Sequence, residues 1–338
     1  MRRTELDLCR IFGCLMVLVI HAGAEIYQRC PIDSPAFILL NFISTAVRGG
    51  VPLFFMLSGA LMLSREQMDV RKLLKNHALF LTGIFFLWSF AYALLGRIVS
   101  GDFGTAHDFV YSVVAGHYHM WFIPAMVICY LFMPPAHALI YGRKLEAKYL
   151  LALFFGLVLF MSNMNLTPDP APILYKITLN FSLDWLGYMG YVIWGWWLAT
   201  RKLPKKTIWL APIVFLLCAV ATSAANQWYC NYKGEADGWL FSYFSLPNFI
   251  QVSAIFCFFL SMKDRQFKHA KLIKKLADCT LGVYLIHPLM INVLELAGVT
   301  ISQSAPVSGL IILCAVLAVS CFALVFVAKH IPFVRRLL

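Results

Sequence analysis

Ten apolar stretches, each near the length of a membrane span, divide this chain, and every second connection between them is basic. A bilayer crossing needs about 20 apolar residues in a helix. Stretches of that kind lie near 6–27, 41–63, 77–98, 119–140, 147–163, 181–200, 207–225, 243–262, 278–297 and 308–329. If the N-terminus lies in the cytoplasm, the cytoplasmic segments hold Arg2 and Arg3, then Arg65, Arg71, Lys72 and Lys75, then Arg143, Lys144 and Lys148. They continue with Arg201 to Lys206, Lys263 to Lys275, and Lys329, Arg335 and Arg336. The opposite segments and adjoining helix ends hold only Arg29, Arg48, Arg97, Lys176 and Lys233. A wrong span count would break this alternation, so the positive-inside pattern predicts ten helices with both termini cytoplasmic.

Composition excludes the simplest alternatives. With 61% hydrophobic and 13% charged residues over 338 positions, the chain is too apolar for a soluble core of its size. The net charge of +12 follows from the basic cytoplasmic loops and requires no nucleic-acid partner. The first segment, followed by Ala22-Gly23-Ala24, resembles a secretory signal. In so apolar a chain it is expected to be retained as a helix. With no large insert, low-complexity tract or visible repeat, residues 1–338 read as one all-α, multi-pass membrane domain.

Two polar groups bracket the first segment, "RIFGCLMVLVIH". Arg10 and His21 are eleven residues apart, which brings them to within about 20° of one helical face and separates them by about 16 Å along the axis. Asp7 lies three residues before Arg10, close enough to orient it. Separately, Arg10 could snorkel to lipid phosphates and His21 could bond a backbone carbonyl. Together they draw a polar line from the cytoplasmic end toward the outside, as a passage would.

More ionisable residues gather at the outer level. Arg48 precedes "GGVPLFFMLSG", His117 and His119 open "GHYHMWFIP" beside Trp121, and His287 lies in "LGVYLIHP". His287 either shares the cavity with His21 or caps the helix break at Pro288. Trp121 could be an interface anchor. The His117/His119 pair lacks an evident third ligand, so no metal is expected. Histidine exchanges protons near neutral pH, and arginine holds phosphate or developing negative charge. That pair suits acyl transfer to a hydroxyl, and equally a proton-coupled transporter or flippase of a glycan or small metabolite. A purely structural membrane subunit would leave the shared face unexplained. Most cysteines fall in or beside the spans, but Cys30 and Cys230 fall in expected outside loops and are candidates for a disulfide.

At these motifs the chain resembles the membrane acyltransferase-3 family. Asp7, Arg10 and His21 match its D-x-x-R-x10-H pattern, and "GVPLFFMLSGAL", "YHMWFIPAMVICYLFMPP" and "LGVYLIHPLM" resemble later signatures in family order. The resemblance implies an O-acyltransferase that takes an acyl group, usually acetyl, from cytoplasmic acyl-CoA. The acceptor would be a hydroxyl of a sugar or surface glycan, free or lipid-linked, at the outer face of the bacterial inner membrane. It implies His21 as base, Arg10 on the donor path or stabilising the reacting group, and Arg48 at donor or acceptor. Acetyl-CoA would be a substrate rather than a resident cofactor, and the basic loops would suit its phosphates. Some members carry an outer SGNH-type hydrolase domain. This chain resembles the stand-alone branch, such as the enterobacterial common antigen O-acetyltransferases.

Overall fold

Every regular element among the described residues is a helix. The computed structural model describes residues 2–142, 149, 184–302, 304–332 and 334. In chain order these are α1 (Thr4–Arg29), α2 (Pro35–Val47), α3 (Gly50–Met62) and α4 (Val70–Leu73). A π-helical stretch (Leu74–Leu79) joins α4 to α5 (Phe80–Ser100), followed by α6 (Ala106–Ala115) and α7 (Phe122–Gly142). Then come α8 (Asp184–Ala199), α9 (Thr207–Lys233), α10 (Leu246–Leu260), α11 (Ala270–Leu296) and α12 (Pro306–Ala328).

Among the described residues, seven helical stretches are long and apolar enough to cross a membrane. They are α1, α2 with α3, α4 with α5, α7, α9, α11 and α12. The predicted spans at 181–200 and 243–262 appear as α8 and α10, only 16 and 15 residues long. At about 1.5 Å per residue α10 falls short of a hydrocarbon core about 30 Å thick, while α8 starts where the described residues resume at 184. The segment predicted at 147–163 lies outside the described residues except for Tyr149, and so do Arg143, Lys144, Lys148, Lys176, Arg335 and Arg336. Helix α6 was not expected. Its start is set by a reciprocal capping box between Thr105 and Asp108.

The second predicted span is broken rather than continuous. Arg48 closes α2, and α3 restarts after Gly49. Packing requires the second glycine: a Cβ on Gly50 would sit 2.8 Å from the Met16 Cβ of α1. Small residues also set the closest helix crossing. A Cβ on Gly59 of α3 would overlap the Val192 carbonyl, and one on Gly195 of α8 would overlap the Met56 carbonyl. The two backbones touch there because neither carries a side chain, a device common between membrane helices.

Helix α1 is central, packing against α2, α3, α10, α11 and α12. Leu216 and Leu217 on α9, Ile311, Ile312 and Val319 on α12, and Phe86 and Phe90 on α5 are exposed. Such outward apolar faces fit lipid and not water. At one end of the bundle, Arg2 pairs with Asp7 and Asp278, each at 2.6 Å, and Lys329 donates to the Asp278 carbonyl. The start of α1, the start of α11 and the end of α12 are thereby tied together. The chain is a multi-pass membrane protein.

Candidate active site

A cavity of about 470 Å³ lies within the bundle, walled mainly by α1, α3, α5, α7 and α11. Arg10, Asn76, His77, Ala277 and Asp278 line one half, and His21, His119, Trp121 and Tyr243 the other. Val17, Phe54, Leu57 and Met126 line the apolar stretch between them. The periodicity of α1 thus puts Arg10 and His21 on one wall, as their spacing predicts.

At the Arg10 end, one sequence expectation changes. Asp7 does not orient Arg10. It is gripped by Arg2 through Nε and Nη2 at 2.6 and 3.0 Å. The salt bridge is satisfied at the bundle's end, one turn before Arg10 enters the cavity. Among the described residues no carboxylate pairs with Arg10, so its guanidinium remains available to an anionic or strongly dipolar guest. Beside it, Asn76 and His77 reach the cavity from the π-helical stretch, a local widening often found at functional sites. His77 lies 5.4 Å from the Tyr130 ring, centroid to centroid, and the Tyr130 hydroxyl lies 3.5 Å from the Ser58 hydroxyl.

At the other end the rings converge. His21 is half-buried, with ring centroids 4.8 Å from His287 and 5.6 Å from Tyr118. His119 and His287 are both fully buried and lie 5.2 Å apart. His117 and His119 approach through their Nδ1 atoms at 2.8 Å, so one donates and the other accepts. Two tyrosines hold this group in place. Tyr284 donates to the His119 carbonyl at 2.6 Å, and Tyr92 stacks on His117 at 4.3 Å while donating to the Leu285 carbonyl at 2.7 Å. Helices α5 and α11 and the turn before α7 are thus locked around the histidines. Trp121 lines the cavity and lies 5.6 and 5.8 Å from the Tyr188 and Tyr243 rings. Among the described residues no group of three His, Cys, Asp or Glu is arranged to hold a metal.

Arg48 stands at the break between α2 and α3, its guanidinium 4.8 Å over the Phe241 ring. Its buried Nε has no hydrogen-bond partner, and its charge reaches both His21 and Tyr243. Asn76, His77, Tyr130 and Tyr243 were not singled out by the sequence. The first two sit where a basic loop runs into an apolar span and read there as loop polarity.

The expected bridge between Cys30 and Cys230 is absent, and both are buried free thiols. Cys230 is not in a loop but in the last turns of α9, where its sulfur accepts from the Asp237 amide at 3.3 Å and lies 3.7 Å from the Tyr27 hydroxyl. Cys30 closes α1 and lies 3.3 Å from the Ser34 hydroxyl. Each sulfur is engaged by its own neighbours.

A family model described as an acyltransferase domain matches residues 3–325. The chain belongs to the membrane acyltransferase-3 family. The match to the acyltransferase domain begins at the start of α1 and ends within α12, so it encloses every residue lining the cavity. Among curated proteins, the chain is 26% identical over 327 residues to an amino-acid racemase of Enterococcus faecalis, an alignment covering 90% of this chain and 43% of that relative. The chain therefore spans less than half the length of that relative. No solved structure matches it.

Proposed function

We propose that this acyltransferase moves an acetyl group from cytoplasmic acetyl-CoA to a hydroxyl of a sugar or surface glycan, free or lipid-linked, at the outer face of the bacterial inner membrane. The observation that carries the reading is a single cavity walled by Arg10 in one half and His21 in the other. In this reading both termini and the basic loops are cytoplasmic, and the donor enters beside Arg10, Asn76 and His77. The thioester passes along the apolar middle toward His21. The acceptor hydroxyl approaches from the outer side.

His21 takes the hydroxyl proton as the oxygen bonds to the thioester carbonyl carbon. The tetrahedral species collapses with cleavage of the C–S bond, and the proton passes to the departing thiolate. A positioned base of this kind is worth about 10²- to 10⁴-fold in rate. Arg10 binds the donor, and Arg48 at the helix break helps to hold donor or acceptor. The enterococcal relative's racemase name is not carried over, because less than half of that protein is shared.

The test is reconstitution in vesicles, with radiolabelled acetyl-CoA on one side and a glycan panel on the other. Surface glycans from cells with and without the protein are compared by mass spectrometry. Acetylated glycan is the expected product. Acceptor translocation without acetylation would replace this reading with a transporter.

A further inference from the structure

Pro288 lies inside α11. Proline has no amide hydrogen, so the helical bond that residue 288 would donate to the Tyr284 carbonyl cannot form. A carbonyl left free at membrane depth is costly unless another donor reaches it. The neighbouring side chain does: His287 Nδ1 lies 2.7 Å from the Tyr284 oxygen. A carbonyl only accepts. The hydrogen of that bond therefore belongs to Nδ1, and this fixes the tautomer of neutral His287. Its Nε2 is left with a lone pair and no proton. That Nε2 is buried and has no hydrogen-bond partner in the resting structure.

Two rings lie close enough to use the lone pair. His21 is nearer, at 4.8 Å between centroids with its plane inclined by 47°. His119 lies at 5.2 Å and stands edge-on at 85°. The closer ring is the better placed donor. His21 also lines the cavity, whereas His287 does not. An imidazole acting as base needs one nitrogen free and the other held by a partner that orients it.

We propose that His287 is the positioning residue for His21. With a small turn of the two rings from the positions seen here, its Nε2 accepts a hydrogen bond from one ring nitrogen of His21, leaving the other His21 nitrogen unprotonated and turned to the cavity. The proline break at 288, the Tyr284 carbonyl, His287 and His21 then form one chain that sets the base's tautomer. No proton leaves the chain: His287 keeps the Nδ1 hydrogen that it donates to the Tyr284 carbonyl, and its Nε2 only accepts. This rests on the reading of His21 as the base. It assigns the His-Pro pair a role in orienting catalysis beyond capping the helix.

The test uses the full-length protein in nanodiscs and two substitutions. His287→Asn keeps an N–H near the Nδ1 position, able to serve the Tyr284 carbonyl, but places no acceptor at the Nε2 position. His287→Gln places an amide oxygen there. We expect His287→Asn to remain folded, to keep the KM for acetyl-CoA, and to lose about ten- to a hundredfold in kcat, by analogy with the partners that orient metal-bound histidines. His287→Gln should recover part of that loss. Nitrogen-15 NMR of labelled histidines gives a second readout that needs no turnover. The His21 resonances should show one tautomer in the wild type and a mixture in His287→Asn. Full kcat in His287→Asn, or His21 resonances that do not change, overturns the proposal. So does a response confined to His119. If the wild type acetylates nothing while the His21 tautomer still depends on His287, the enzymatic reading fails and the relay stands.

Discussion

Arg10 and His21 line one cavity from opposite halves of α1. Between them Val17 and Ile20 face the same cavity, and no residue of α1 from 11 to 20 is charged. Two groups so separated should fail differently when removed. His21→Ala should insert normally, bind CoA and transfer almost no acetyl, a loss of about 10²- to 10⁴-fold. Arg10→Ala should weaken donor binding, and Arg10→Lys should restore it only in part because an ammonium lacks the guanidinium fork. CoA binding and acetyl transfer, measured side by side in one detergent, separate the two. Normal turnover in folded His21→Ala would sink the mechanism.

The α3–α8 crossing makes a prediction about stability. Gly59→Ala pushes a methyl into the Val192 carbonyl, and overpacking of this kind costs about 1–3 kcal/mol. Gly83→Ala on α5 is the control, since nothing lies within 4 Å of its added Cβ. Thermal unfolding in detergent should show Gly59→Ala well below wild type and Gly83→Ala at or slightly above it.

Tyr284→Phe removes the donor that holds the His119 carbonyl. A buried acceptor left without its partner costs about 1–3 kcal/mol. The variant should unfold at lower temperature and transfer acetyl more slowly, because the turn carrying His117 and His119 loses its tie to α11. An unchanged melting curve would show that this bond does not hold the turn.

Cys30 and Cys230, both free thiols, should alkylate fully once the protein is unfolded. In protein prepared without reductant, unfolding in the presence of an alkylating agent should label Cys30 and Cys230, and peptide mapping should find no peptide linking them. In the native protein both should react slowly, being buried.

For orientation, single cysteines placed in the segments at 64–76, 201–206 and 263–275 should resist a reagent that cannot cross the membrane. The same holds for 142–148, most of which lies outside the described residues. Labelling of 263–275 from outside would reverse the proposed topology.

Much was legible before any tertiary contact was known. Apolar run length and loop charge are properties of local sequence, because the bilayer acts on each segment separately. They located α1, α5, α7, α9, α11 and α12 to within a few residues or turns. Helical periodicity, equally local, put Arg10 and His21 on one face. What the tertiary structure decided is who meets whom. Asp7 is close to Arg10 in sequence, yet Arg2 takes it and carries it to Asp278 on α11. Cys30 and Cys230 shared an expected side of the membrane, but packing gave each sulfur other neighbours. Asn76 and His77 lie in the π-helical stretch and line the cavity, which their place beside a basic loop did not indicate. His287 beside Pro288 could be read as a helix cap from sequence, and it is one. Its second nearness, to His21, required α1 and α11 to pack, since spacing along one chain fixes direction on a helix and says nothing of which helix will stand opposite.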